Sequence, residues 1–286
     1  MRISVVTPSF NMARYLDDTI TSVLANLREG DEYFVIDGGS SDGSVDIIRR
    51  YEKRLTGWVS EKDAGYADAL AKGFARATGD IQCWINSGDL YLSGAFDAAR
   101  KLLSEEIDLI FGDDFYIDED NRVLSYSRGW VPNLRTAMLY GGWTPLQDAC
   151  FWRRDLYQKT GGIDHSLLYA ADYDLFLRMA LAGRAGYVPF TFSAFRRHPG
   201  QKSISGSVAY RDERRRIQSR EVGISGSSPV LKGLYCGVNR VAMSSRARLA
   251  HRVWRRPDLV GQLVTSLPCA PHWQPGQRSK ANVSPG

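Results

Sequence analysis

Several short apolar runs early in the chain each stop at or just before an aspartate. Tyr33–Ile36 ends at Asp37, Leu55–Ser60 leads into Glu61-Lys62-Asp63, and Ile81–Ile85 leads into Asn86-Ser87-Gly88-Asp89. β-Branched and aromatic content marks such runs as buried strands. Strands joined by right-handed crossovers lie parallel and share one carboxyl end, where open α/β sheets take their ligands. Asp37, Asp63 and Asp89 are therefore expected on one sheet edge. Carboxylates converging there raise one another's pKa unless a cation or a ligand's donors offset them, which suits a metal, a sugar or a nucleotide. Each aspartate alone is explained by a polar turn; the repetition points to chemistry.

The segment Asp37-Gly38-Gly39-Ser40-Ser41-Asp42-Gly43-Ser44 approaches a dinucleotide-binding fingerprint and misses it. G-x-G-x-x-G needs glycine at position 40, where Ser40 stands, and the preceding Asp37 would repel a pyrophosphate. A nicotinamide or flavin enzyme is disfavoured, and no NAD(P) binding is expected. Asp37 could instead accept hydrogen bonds from a nucleobase or a ribose.

The elements that must position these residues follow from periodicity. Ile3–Thr7 reads as a first strand rather than a signal peptide, since no small-residue cleavage site follows it. From Met12 to Leu27, Ala13, Leu16, Ile20, Val23, Leu24 and Leu27 recur at helical spacing. Helices are expected again over Ser44–Arg54 and Tyr66–Ala77. The resulting β-α-β-α-β-α-β order implies a mainly parallel sheet sandwiched by helices. Beyond it, Gly94–Leu103 reads as a helix, Asp108–Phe111 and Ala149–Trp152 as strands, and Phe115–Tyr126 as a hairpin around Asp118-Glu119-Asp120-Asn121. A helix over Ala170–Ala182 and one or two strands over Gly186–Phe195 complete this part. Further helices are expected at Tyr210–Glu221 and Lys232–Arg255, with a Pro/Gly/Ser-rich end from Pro268 expected to be disordered.

The chain has 286 residues, 43% of them hydrophobic and 24% charged, which is globular composition and room for one large domain with an appendage. No apolar run reaches the ~18 residues of a membrane span. The cysteines (Cys83, Cys150, Cys236, Cys269) are widely separated without a C-x-x-C pair, so neither a zinc site nor a disulfide framework is indicated, and a reducing cytosol fits them. The net charge of +5 is uneven: residues 206–286 carry 14 Lys/Arg against 4 Asp/Glu, and the rest 23 against 28. An acidic front and a basic tail suggest an anionic partner for the tail.

Seven stretches resemble family 2 glycosyltransferases, the large GT-A-fold family. They are Val5–Asn11, Val35–Ser44, Asn86–Asp89, Gln147–Arg154, Gly161–Asp164, Asp172–Arg178 and Arg197-His198, and they occur in the family's order over about residues 3–205. The resemblance implies a Rossmann-like GT-A domain over residues 1–205 and inverting transfer of a sugar from a nucleotide diphosphate-sugar donor to an acceptor hydroxyl. The acceptor would be a saccharide or lipid-linked saccharide, as in bacterial surface polysaccharide or glycolipid synthesis. Thr7, Pro8, Asp37, Asp63, Asp68, Ser87 and Gly88 would line the nucleotide-sugar pocket. Asp89 takes the place of the last aspartate of the family's Asp-x-Asp motif and, with His198, would hold a divalent cation, Mn²⁺ or Mg²⁺. Ser87 replaces the motif's first aspartate. A hard cation that keeps several waters and two phosphate oxygens can manage with one carboxylate.

Asp172 matches the aspartate of the family's Glu-Asp motif, with Ala171 in place of the glutamate, and would be the general base. Asp174 is the alternative, because residues two apart on a helix point to different faces. Ser87 and Ala171 also leave room for a second reading, a non-catalytic sugar-nucleotide-binding or scaffold protein of the same fold. Trp130, Trp143 and Trp152 could stack on a sugar or fill the core.

The resemblance stops before the tail. Residues 206–267 are expected as a basic helical extension, with Leu234, Tyr235, Val238, Val241, Ala242, Leu249 and Val253 on one face, followed by a disordered 268–286. Such a helix could pack on the catalytic domain or lie on an anionic membrane surface. The expected location is cytoplasmic, peripheral on the inner face of the plasma membrane in the latter case. Nucleic acid is not an expected partner, since no recognition module accompanies the basic residues.

Overall fold

The computed structural model describes residues 1–103, 106–131, 133–198, 207–226 and 262–264. Four strands, β1 (Ile3–Ser9), β2 (Glu32–Asp37), β3 (Gly57–Ser60) and β4 (Ile81–Trp84), form a parallel half-sheet in the order β3-β2-β1-β4. Every residue of β1 and β4 is buried, so their runs are continuous rather than alternating, as a sheet covered on both faces requires. The crossovers are the helices α1 (Ala13–Leu24), α2 (Ser44–Tyr51) and α3 (Tyr66–Phe74). α1 buries Tyr15, Leu16, Thr19, Ile20, Val23 and Leu24; of the stripe read from spacing, Leu16, Ile20, Val23 and Leu24 are buried, while Ala13 is only partly buried and the helix stops before Leu27.

α1 carries no capping side chain of its own at Met12. Its first amides are satisfied from outside: Ala13 donates to Asp42 Oδ2 at 2.8 Å and Met12 to Ser44 Oγ at 3.1 Å. Asn11, in the left-handed region at φ 52°, accepts from the Ser41 amide at 2.9 Å. The serine-rich segment that misses the dinucleotide fingerprint thus serves as a cap supplied in trans.

The sheet then turns mixed. β5 (Leu90–Tyr91) and α4 (Ala95–Leu102) lead to β6 (Leu109–Ile117) and β7 (Val123–Ser127), the expected hairpin. α5 (Leu134–Thr136), β8 (Cys150–Arg153), α6 (Arg154–Lys159), α7 (Ala171–Ala182), β9 (Ala185–Arg196) and α8 (Ser207–Gly226) follow. β8 and β6 extend the parallel half antiparallel, β9 lies parallel to β6, and β5 closes the order antiparallel to β9. Aromatic packing joins the halves: Trp84 stacks on Phe176 of α7 at 5.4 Å, and Trp152 meets Trp84 edge-on at 5.3 Å. Trp152 is fully buried and belongs to the core. Trp143 is partly buried against that core beside Phe111, and Trp130 lies under the Arg128 guanidinium.

The helix expected at Tyr210–Glu221 is the longer α8, and it docks on the domain. Gln218 donates to the Met138 and Leu139 carbonyls at 2.8 and 3.1 Å, and Arg214 to Gly142 O at 2.8 Å. Residues 262–264 return to the hairpin, where Val264 is buried with Phe115, Ile117 and Val123. The expected helix Lys232–Arg255, Cys236, Cys269 and the end from Pro268 lie outside the described residues. Cys83 and Cys150 are buried free thiols. Among the described residues no helix is long and apolar enough to cross a membrane.

Candidate active site

The carboxyl edge of the parallel half is continuous. Ser9 pairs with Asp37 and Asp37 with Ser60. Gly38 N donates to Ser9 O at 2.8 Å, Glu61 N to Asp37 O at 3.0 Å, and Ser87 N to Pro8 O at 3.4 Å. Thr7, Pro8, Asp37, Asp63, Ser87 and Gly88 are therefore placed together along this edge. Asp63 lies directly against Gly38, whose absent side chain makes room: a Cβ there would meet Asp63 Oδ2 at 2.7 Å. Asp68 sits in the first turn of α3, where it accepts from Ala64 N at 3.1 Å and pairs with Lys72 at 3.2 Å. Those contacts, the Ala64 amide first, hold its carboxyl below its ordinary value.

What these residues present differs from expectation. Asp37 is fully buried and accepts from Gly39 N (3.1 Å), Ser40 N (2.9 Å), Ser40 Oγ (2.5 Å) and Ser60 Oγ (2.6 Å). Its carboxylate builds the loop beyond β2 rather than standing free at the edge. Thr7 is likewise buried, its hydroxyl 3.0 Å from that of Tyr33.

Asp89 is turned inward by Gly88, which takes φ 119°. It is 4% exposed, and its Oδ1 accepts from the Arg196 amide at 2.9 Å. Burial pushes its carboxyl well above the ordinary range, with Asp148 adding repulsion. The carboxylate that stands near Asp89 is thus Asp148, not Asp37 or Asp63. Asp148 follows Gln147, whose side chain bridges Asn86 Nδ2 at 2.7 Å and Trp84 O at 2.9 Å and so ties this turn to the Asp89 loop. Burial pushes Asp148 up to about 6, and its Oδ2 has no hydrogen-bond partner. Asp114 on β6, raised by burial and then by Asp148, also has an unpartnered oxygen. Sequence reasoning missed both, because neither follows one of the first four strands.

Arg196 is the other missed residue. Its side chain is fully buried and donates to Gly88 O (2.7 Å), to Asp118 O and Glu119 O (3.1 Å each) and to Asn121 Oδ1 (2.6 Å), with Asp18 at 3.3 Å. It fastens the Asp89 loop to the β6–β7 turn. His198, two residues on, packs on Tyr15 with ring centroids 5.4 Å apart. Burial keeps its ring below the ordinary imidazole value, so it is neutral at pH 7 and able to act as a ligand.

Among the described residues no three His, Cys, Asp or Glu side chains are arranged to hold a metal. The donor set therefore does not fit a preformed cage. It does fit a cation brought in on a diphosphate: Asp89 and Asp148 are buried carboxylates, Asp148 with one oxygen unpartnered, and such a cation needs few protein ligands. The sign of the strain is testable. Asp148 has a folded value above that of the unfolded chain, so its contribution to stability is present below about pH 4 and is lost as pH rises through about 6. Asp148→Asn should raise the melting temperature of metal-free protein at pH 8 and change it little at pH 4.5; equal effects at both pH values would contradict the assigned burial.

The second group of residues lies at the start of α7. Asp172 accepts from Tyr173 N at 2.7 Å, has no ion pair among the described residues, and is surrounded by Tyr66, Cys150, Tyr210 and Glu213. Desolvation pushes its carboxyl up to about 6. Asp174 is fully buried and consumed by two guanidinium groups, Arg178, whose Nε lies at 2.8 Å, and Arg220 from α8. Tyr66, opening α3, donates to Tyr169 O at 3.2 Å and accepts from Ala171 N at 3.1 Å, which joins the donor edge to the Asp172 turn.

An α/β domain with this sheet order has counterparts. The family model for glycosyl transferase family 2 matches residues 4–197, and the chain belongs to that family. It is 32% identical over 186 residues to an uncharacterized glycosyltransferase of Mycobacterium tuberculosis, covering 63% of this chain and 69% of the relative. A Bacillus subtilis protein provisionally assigned to teichuronic acid biosynthesis, TuaG, is 32% identical over 106 residues, 36% of this chain and 42% of that protein. Among solved structures, S. aureus TarS 1–349 in complex with UDP-GlcNAc superposes with a TM-score of 0.62 at 16% identity, over 82% of this chain and 70% of that one. The match spans 42% of a longer TarS chain. The mannosyltransferase PcManGT of Pyrobaculum calidifontis, in complex with GDP-Man and Mn²⁺, gives 0.57 at 18% identity over 87% and 80% of the two chains. At these identities the structural likeness establishes the GT-A fold.

Proposed function

We propose that this chain transfers a sugar from a nucleotide diphosphate donor to an acceptor hydroxyl with inversion, using Asp172 as the base. The observation that carries the reading is the contrast between the two carboxylates of α7. Asp174 is ion-paired and buried, whereas Asp172 has no counter-ion among the described residues and its proton affinity is raised toward neutrality. A base tuned in that direction suits proton transfer near physiological pH. The acceptor oxygen forms its bond to the anomeric carbon as its proton passes to Asp172 and the bond to the diphosphate breaks, the electron pair leaving with the nucleoside diphosphate.

The donor's place is the edge formed by Pro8, Gly38, Asp63, Ser87 and Gly88, with Asp37 and Thr7 fixing its backbone. A divalent cation, held by Asp89 with His198 and Asp148 nearby, would supply charge neutralisation for the departing diphosphate. The complexes of TarS with UDP-GlcNAc and of PcManGT with GDP-Man and Mn²⁺ support a nucleotide-sugar donor and a cation. The likeness to TuaG supports a role in surface polysaccharide synthesis.

The test is nucleoside diphosphate release from a panel of nucleotide sugars, with and without Mn²⁺ or Mg²⁺. Turnover with at least one donor is expected; binding without turnover across acceptors would support the non-catalytic reading instead. Asp89→Ala should lower the Mn²⁺-dependent affinity for the matching nucleoside diphosphate at least about 10-fold, because even the residues that orient a metal ligand are worth that much. An unchanged Mn²⁺ dependence in a calorimetric titration would remove Asp89 from the cation site.

A further inference from the structure

α7 begins without a cap. The N-cap position, where Ser, Thr, Asp or Asn is favoured, is held by Ala170, whose methyl cannot accept a hydrogen bond. The backbone leading into the helix is nevertheless ordered by a single carboxylate from outside the family domain. Glu213 of α8 accepts from Leu168 N (3.1 Å), Tyr169 N (2.9 Å) and Ala170 N (2.8 Å). Three amides on one carboxylate is a strong, charge-assisted arrangement. It sits immediately before Asp172 and beyond residue 197, where the family match ends.

We infer that Glu213 is a positioning residue for Asp172, so that α8 is a working part of the active site rather than an appendage. The inference rests on Asp172 being the base. Two neighbours hold the turn that carries Asp172: the Tyr66 hydroxyl from the donor side and the Glu213 carboxylate from α8. Glu213 is anchored in turn, because Arg214, Gln218 and Arg220 of the same helix bind Gly142, Met138 and Asp174. The carboxylate missing at position 171 of the Glu-Asp pair is thereby replaced by one brought from another helix. The titratable groups facing Asp172 are Tyr66 from α3, Cys150 from β8, and Tyr210 and Glu213 from α8. Burial raises Tyr66, Cys150 and Tyr210, whereas the Glu213 carboxylate acts on Asp172 by repulsion, disfavouring its ionisation.

Two substitutions separate shape from charge. Glu213→Ala removes acceptor and charge. It should expose the amides of residues 168–170 to faster hydrogen exchange and lower kcat about 100-fold, the scale of an ångström-sized misplacement. Nucleoside diphosphate affinity should stay within a few-fold of the parent's. Glu213→Gln keeps an acceptor and loses the charge. It should retain kcat within about 10-fold and move the acid limb of the kcat–pH profile to lower pH. Unchanged exchange at 168–170 in Glu213→Ala overturns the clamp. Faster exchange with an unshifted acid limb in Glu213→Gln and parental kcat in Glu213→Ala reduces Glu213 to a structural residue. If Asp172→Asn itself keeps turnover, the base assignment fails instead, and the two failures are told apart.

Discussion

Replacing Asp172 with asparagine should lower kcat by about 10²–10⁴-fold, or about 2.7–5.5 kcal/mol of transition-state stabilisation, the usual share of a general base. Asparagine is nearly isosteric and its oxygen can still accept from Tyr173 N, the hydrogen bond that orients the side chain. The helix start and the donor edge are untouched, so nucleoside diphosphate affinity and melting temperature remain close to the parent's. The parent's turnover should fall as pH drops through about 6, because the carboxyl raised to that value must be ionised to accept a proton. Initial-rate kinetics with calorimetric nucleotide titration check both halves. A variant with full kcat, or one that loses kcat and nucleotide binding together, contradicts the assignment.

Asp174→Asn, two residues away, should fail differently. Asp174 is wholly buried between Arg178 and Arg220, and Arg178 also donates to Gly162 O at 2.7 Å. Removing one member of such a buried group leaves the guanidinium of Arg178, 19% exposed, without its counter-charge. The expected loss is about 3–5 kcal/mol, most of it from Arg178, since Arg220 is about half exposed and screened. At roughly 2–4 °C per kcal/mol for a domain of this size, the melting temperature should fall by roughly 6–20 °C. Residual folded protein should keep its kcat. A stable but inactive Asp174→Asn protein would move the catalytic role to Asp174.

The parallel half of the sheet was legible because its strands are continuous apolar runs separated by amphipathic stretches, and local periodicity reports both. The ion pairing that sets Asp174 apart from Asp172 was not, because it depends on Arg220, which lies 46 residues further on and on another helix. Glu213 was hidden for the same reason: within Arg211-Asp212-Glu213-Arg214-Arg215-Arg216 nothing distinguishes a trans cap from a solvated charge. Asp37 was read as a ligand contact on its place after β2, yet Ser40 and Ser60 supply donors that its own segment could only partly announce. Asp148 and Arg196 became visible only when the later strands β8 and β9 brought them to the Asp89 loop. In each case the missing information is a long-range pairing, which composition and spacing do not carry.

The central claim is direct displacement at the anomeric carbon assisted by the Asp172 carboxylate. It is tested most directly by the anomeric configuration of the first sugar released when water replaces the acceptor. With an α-linked nucleotide sugar that the protein turns over, proton NMR of the early product, taken before mutarotation, should show the β-pyranose, and Asp172→Asn should release it at least about 100-fold more slowly. An initial α-pyranose, or unchanged β-product formation by Asp172→Asn, would contradict the account.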